Sequence, residues 1–180
     1  GELGYEINVS HTDHIALRRM LLAAGADHGI REYGYSALNA LRLEKSFGIW
    51  SAEFTQGYTA AQTGMDRWID WQKPDFVGRD AAIKERDSGG PDKVVVTLAI
   101  EADGADAAGY EPVWQNGTLV GYVTSGGYGH TVGTSLAMAM IDRSAADIGT
   151  DLAVHVVGVE RAARVIAPSP YDPTGTAMRA

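Results

Sequence analysis

Residues 5–9 alternate, with Tyr5, Ile7 and Val9 on one face and Glu6 and Asn8 on the other, the period of a half-buried strand. The period then lengthens. Ile15, Leu17, Leu21 and Leu22 recur at helical spacing, Thr12 or Asp13 can cap the start, and Gly25 stops the run. A second helix is predicted from Tyr35 to about Ser46. Leu38 and Leu41 point inward in this reading, while Asn39, Arg42 and Ser46 form a polar stripe at i, i+3 and i+7. Residues 50–77 follow neither period. Trp50, Phe54, Tyr58, Trp68 and Trp71 stand among glycines and threonines, which predicts a winding connection packed on a core. A short helix starts near Gly78 and continues through Asp80 to Glu85.

The run 87–92, Asp-Ser-Gly-Gly-Pro-Asp, has linker composition, and the character of the chain changes after it. Val94, Val95, Val96, Leu98 and Ile100 predict a strand. Asn116-Gly117, between two β runs, suits a type I′ turn because both residues must take positive φ. Further strands fit 119–125, 135–141, 152–157 and 160–166. Short strands with glycine-containing turns predict a small antiparallel barrel or sandwich. The tail from Pro168, with three prolines, reads as extended. The division falls near Gly89, giving 1–88 and 89–180.

Composition narrows the function. The 180 residues carry 15 Lys+Arg against 23 Asp+Glu, a formal charge of −8, which argues against a nucleic-acid partner. No run approaches the roughly 18 apolar residues of a membrane span, so no membrane partner is expected. With no cysteine, disulfides, thiolate metal sites and a cysteine nucleophile are excluded, and a cytoplasmic location fits. Gly1 opens directly into the alternating pattern, which predicts a piece of a longer protein with part of its site elsewhere.

Candidate chemistry is sparse. His11 and His14 share a helix face but lack a third ligand, so no metal is expected. Ser125-Gly126-Gly127-Tyr128-Gly129-His130 lacks the Lys-Ser/Thr and helix of a phosphate loop, and its glycines predict a bulge or wide turn. Neither Gly-x-Gly-x-x-Gly nor Gly-x-Ser-x-Gly occurs. Glu6, on the polar face of its strand with Gly1 and Gly4 nearby, can accept two parallel N–H bonds from a planar heterocycle; the plainer reading is a solvated edge-strand glutamate. Arg42-Leu43-Glu44-Lys45 reads as an intrahelical and interhelical ion network.

Four motifs then occur in order: Gly-Glu-Leu-Gly-Tyr-Glu-Ile (1–7), Ala-Leu-Arg-Leu-Glu-Lys (40–45), Lys-Pro-Asp-Phe-Val-Gly-Arg (73–79) and Gly-Tyr-Val-Thr-Ser-Gly (121–126). Together they resemble the C-terminal half of the aminomethyltransferase family, the T-protein of the glycine cleavage system. Glu44-Lys45, Gly126-Gly127-Tyr128-Gly129 and Tyr171-Asp172-Pro173 are similar to the folate-domain ends of dimethylglycine and sarcosine dehydrogenases. The resemblance implies an α+β fold, with part of a folate-binding αβ core in 1–88 and a small antiparallel β-barrel in 89–180. It implies transfer of a one-carbon unit from a small-molecule amine or methyl donor to tetrahydrofolate. Glu6 matches the pterin-binding glutamate, and Phe47 the aromatic three residues after Arg-Leu-Glu. No catalytic residue is expected in this chain, because the family's aspartate falls before Gly1, in the upstream half of the same protein. FAD is implied only if an upstream flavin domain exists.

The chain also departs from that pattern. A second folate-contacting arginine falls on Leu38, the usual Thr-Pro-Leu-Glu stretch is replaced by Thr55-Gln56-Gly57-Tyr58, and the aromatic expected three after Gly64 is Arg67. These exchanges leave a second reading, a structural or binding module that keeps the fold without folate chemistry.

Overall fold

The structure, a computed structural model, describes residues 4–179, so the first three residues of the 1–7 motif lie outside it. Three helices, α1 (His14–Gly25), α2 (Tyr35–Glu44) and α3 (Arg79–Asp87), precede six strands. These are β1 (Lys93–Ile100), β2 (Pro112–Gln115), β3 (Thr118–Gly129), β4 (Thr134–Asp142), β5 (Asp151–Val156) and β6 (Val159–Ile166). The fold is α+β. All strand pairs are antiparallel in the order β1-β4-β3-β2-β5-β6, and β6 returns to β1, so the sheet is a closed barrel with no free edge.

Alternation builds the barrel interior. Leu152, Val154 and Val156 of β5 point in, and they meet Val113, Val123, Ile141 and Val165. Alanines at 137, 139 and 163 keep the narrow lumen from overfilling. β4 is buried on both faces from Ser135 to Ile141, because its outer side is covered as well. There Leu43 of α2, fully buried, packs on Leu136 and Met138. Truncating such a leucine to alanine costs about 2–5 kcal/mol.

The Asn116-Gly117 turn forms as expected, with φ of 50° and 77° between the paired Gln115 and Thr118. The glycine run does not turn. Gly126, Gly127 and Gly129 continue β3, paired with Ala137, Leu136 and Thr134. Gly126 is required there because a Cβ would collide with the Ala107 carbonyl. The β3 bulge lies earlier, where the register with β4 skips Thr124. The tail is not extended either. Ser169 and Asp172 have positive φ, and Asp172 Oδ1 accepts the Thr176 N–H at 2.7 Å, so the chain folds back on itself.

Before residue 50 the burial pattern differs from the expected one. Residues 4–10 form no strand and are exposed; no described strand lies beside them, and alternation makes a strand only against a neighbour. The N-terminal cap is Ser10, whose Oγ accepts the Thr12 N–H at the start of a 3-10 turn (His11–Asp13) ahead of α1. α2 presents its other face. Leu38 and Leu41 are exposed, while Arg42, Leu43 and Glu44 are buried and Asn39 partly so. The polar stripe is the packed face.

Candidate functional site

The last turn of α2 and the residue after it reach four different parts of the molecule. Leu43 enters the apolar contact with β4. Glu44 Oε1 accepts the backbone N–H groups of Thr131 and Val132 at 2.5 and 3.1 Å, capping the β3–β4 connection. Lys45 Nζ donates to the Tyr171 and Asp172 carbonyls at 3.2 and 2.6 Å and holds the tail. Arg42 faces inward. Its Nε and Nη2 donate to Asn39 Oδ1 at 3.0 and 2.7 Å, and Nη1 donates to the Phe47 carbonyl at 3.1 Å. Asn39 is on α2 itself, but the other partners come from strand turn, tail and loop, so the network is only partly the intrahelical one expected from spacing, and no second helix takes part in it.

Arg42 also meets Glu53, at 3.5 Å from Nη1 to Oε2. Glu53 is completely buried. Its Oε1 accepts the hydroxyls of Thr124 and Ser125 at 2.6 and 2.5 Å, and Oε2 accepts the Ile49 N–H at 2.9 Å. Consecutive residues of a regular strand face opposite sides. The bulge at Thr124 breaks that alternation, so both hydroxyls reach one carboxylate oxygen. Burial pulls the Arg42 guanidinium below its ordinary value, and the charge of Glu53 and then Tyr35 opposes the shift. With both carboxylate oxygens accepting hydrogen bonds, Arg42 alongside and no exposure, Glu53 is a joint between loop 49–53 and the barrel rather than a base. Glu53 sits in an unremarkable Ala-Glu-Phe stretch, and nothing in its sequence context marks it.

Beside this joint the Tyr58 and Tyr122 hydroxyls bond to each other, and Tyr110 stacks on Tyr122 with ring centroids 6.5 Å apart. Burial first, and the bond to Tyr122 next, push the Tyr58 phenol up to about 12.

The two residues singled out as ligand contacts stand apart. Glu6 is exposed in the segment ahead of α1 and makes no hydrogen bond or ion pair with another described residue. Phe47 follows α2 and lines a cleft of about 530 Å³, with Lys45 Nζ 5.9 Å from its ring centroid. Glu6 does not line that cleft. The described residues therefore offer an unpaired carboxylate and a separate aromatic wall.

Comparison with known proteins accounts for both parts of the chain. The model for the GCVT N-terminal domain matches residues 1–73, and that for the glycine cleavage T-protein C-terminal barrel domain matches residues 93–172. The chain belongs to the glycine cleavage T-protein family. Its barrel, β1 to β6, lies inside the second match, which also takes in the tail as far as Asp172. Among relatives of this family, the mitochondrial dimethylglycine dehydrogenase of Rattus norvegicus is 35% identical over 167 residues, covering 92% of this chain and 19% of that protein. The aminomethyltransferase of Thermosynechococcus vestitus is 36% identical over 156 residues, covering 87% of this chain and 41% of that protein. The crystal structure of aminomethyltransferase T of the glycine cleavage system from Bartonella henselae superposes with a TM-score of 0.79 at 24% identity, covering 88% of this chain and 44% of that one. At that identity the likeness is one of fold. The chain thus spans about a fifth of the dehydrogenase and under half of the transferases.

Proposed function

We propose that the chain is the C-terminal portion of a tetrahydrofolate-dependent one-carbon transferase of the dimethylglycine or sarcosine dehydrogenase kind. The observation that carries this reading is the pair of family matches, one on each side of the Gly89 linker, in a chain whose Glu6 carboxylate has no partner among the described residues. The chemistry of Glu6 fits a pterin, because neither oxygen is engaged by another described residue and the two can accept parallel N–H bonds from a planar donor edge. When bound, the reduced folate supplies the nucleophilic nitrogen that accepts the one-carbon unit. Glu6 orients it, and Phe47 offers an aromatic face to a ring of the ligand. The donor is a small amine or methyl compound, handled by an aspartate of the upstream half. That half also covers α1, which buries no residue and exposes Ile15, Met20 and Leu21. FAD, where the parent protein carries it, belongs to another domain.

The division into a folate-binding part (1–88) and a barrel (89–180) is part of the same proposal, supported by the positive φ of Gly89 and Gly90 in the connection. Among the described residues no helix is long and apolar enough to cross a membrane, and neither membrane nor nucleic acid enters the reading. The cytoplasm is the compartment proposed; the rat relative is mitochondrial by name, and fractionation of cells expressing the whole protein separates the two.

Calorimetry of the full-length protein with tetrahydrofolate tests the function. Saturable heat is expected, and none at high micromolar ligand overturns it. A structural module is the second reading, favoured by Arg42, Glu44, Lys45 and Glu53 all being engaged inside the protein. It expects no heat at all.

A further inference from the structure

α3 borders a second cleft, of about 710 Å³, within the roughly 300–1,000 Å³ typical of small-molecule sites. Ala81 and Ala82 line it from the helix, Ile69 and Trp71 from the loop before the helix, and Val94 from the start of β1. It is not the cleft beside Phe47, with which it shares only Val94. α3 buries no residue and is held by three tethers. Thr59 Oγ1 donates to Glu85 Oε1 at 2.9 Å, the Arg86 guanidinium lies 4.8 Å from the Trp71 ring centroid, and Arg143 Nη1 donates to the Gly89 carbonyl. Every residue of these tethers lines the cleft.

The four charged groups of the cleft are not equally engaged. Arg86 pairs with Asp87 at 3.0 Å besides resting on Trp71, and Arg143 is committed to the Gly89 carbonyl. Glu85 gives one oxygen to Thr59. Asp66 is half-buried, and its carboxylate makes no hydrogen bond or ion pair with another described residue. A carboxylate set partly among apolar walls loses solvation, and a cation at hydrogen-bonding distance restores the loss. The indole beside it favours the same sign, because the negative face of an aromatic ring attracts cations, as Arg86 already shows at Trp71. The cleft thus combines apolar walls, an aromatic ring and one unanswered negative charge.

We propose that this cleft binds an organic cation, with a ring-bearing body packed between Trp71 and the Ala81–Ala82 wall and a protonated amine on Asp66. Glu85 Oε2, which has no partner among the described residues, is the second acceptor the cleft offers. Occupancy completes the packing of a helix that buries no residue by itself. The inference does not rest on the folate reading, because neither Glu6 nor Phe47 lines the cleft. The site is also apart from that of the one-carbon donor, which the upstream half handles in that reading.

The test is calorimetry of the full-length protein with tryptamine, a ring-bearing ammonium. Indole, butylamine and indole-3-propionate are the uncharged, ring-less and anionic comparisons. Tryptamine is expected to bind saturably, and each comparison at least about tenfold more weakly. Asp66→Asn keeps the shape and removes the charge, and is expected to weaken tryptamine by roughly tenfold with unchanged thermal unfolding. Ala82→Phe fills the cleft and is expected to abolish binding without lowering the unfolding midpoint. Hydrogen exchange locates the ligand, with slower exchange of the α3 amides expected on binding. No saturable heat with tryptamine, or equal affinity in Asp66→Asn, overturns the site. Indole or indole-3-propionate binding as tightly as tryptamine overturns its preference for a cation. Exchange in α3 that a bound ligand leaves unchanged overturns the placement in this cleft.

Discussion

Arg42 Nη1 lies 3.5 Å from Glu53 Oε2 in a contact closed to solvent, where Arg42 is 7% exposed and Glu53 0%. The pair ties the helical part to the barrel, because Glu53 also accepts the hydroxyls of Thr124 and Ser125 on β3. Removing one partner of such a pair leaves a buried charge uncompensated, which costs about 3–5 kcal/mol. Glu53→Ala is therefore expected to lose that much in urea unfolding. Glu53→Gln keeps an acceptor for the hydroxyls and is expected to lose less, about 1–3 kcal/mol. A loss within experimental error for Glu53→Ala would show that the joint contributes nothing to stability.

The Tyr58–Tyr122 pair sets an alkaline limit. Tyr58 is pushed up to about 12 in the folded protein, whereas an unfolded tyrosine titrates near 10. The native state therefore keeps a proton that the unfolded chain releases. This contribution to stability is complete below about pH 10 and is lost as pH rises toward about 12. Tyr58→Phe is expected to flatten that decline relative to the unsubstituted protein, measured as unfolding midpoints through the alkaline range. Parallel declines in the two proteins would contradict the assignment.

The two tight hairpins predict opposite signs. In the β5–β6 turn Val157, exposed, has φ of 49° and Gly158 has φ of 75°. A β-branched residue is strained there, and Val157→Asn is expected to raise stability by about 1 kcal/mol. Gly117→Val places the same strain in the β2–β3 turn, where φ is 77°, and is expected to cost about 1–3 kcal/mol. Thermal unfolding reads both, and a lower midpoint for Val157→Asn would refute the strain argument.

Glu6 separates binding from stability. Its carboxylate is exposed and has no partner among the described residues, so Glu6→Gln is expected to leave the unfolding midpoint unchanged. Folate affinity is expected to fall roughly ten- to a hundredfold, about 1.5–3 kcal/mol, because a charge-assisted pair is lost and an amide donor faces a donor edge. The measurement is made on the full-length protein. Reduced stability with unchanged affinity would assign Glu6 to a structural contact instead.

The strands of the barrel and one of its turns were legible because their signals are local, whereas barrel rather than sandwich came only from the family resemblance. β-branched runs of period two, and an Asn-Gly pair that accepts positive φ without strain, specify strand and turn from a few neighbouring residues. The second hairpin was less visible, because Val157 violates the turn rule that Asn116 obeys. In the same way α2 was legible as a helix, its predicted end at Ser46 lying two residues beyond the observed Glu44.

Which face of α2 is buried was decided elsewhere. Its stripe of Asn39, Arg42 and Ser46 reads as solvated by polarity. It is packed because Gly126, Glu53 and Ser169 lie 87, 11 and 123 residues away in sequence and arrive with complementary groups. The strand expected at 5–9 did not form, because alternation creates a face and only a partner strand can use it. Sequence alone therefore determined the helices, the antiparallel strands and, through its motifs, the T-protein resemblance with the α+β class and barrel it implies. Tertiary structure decided that the Arg42–Glu53 joint, the fastened tail and the cleft beside α3 exist, because each is made of groups distant in the chain that only the closed barrel brings within hydrogen-bonding reach.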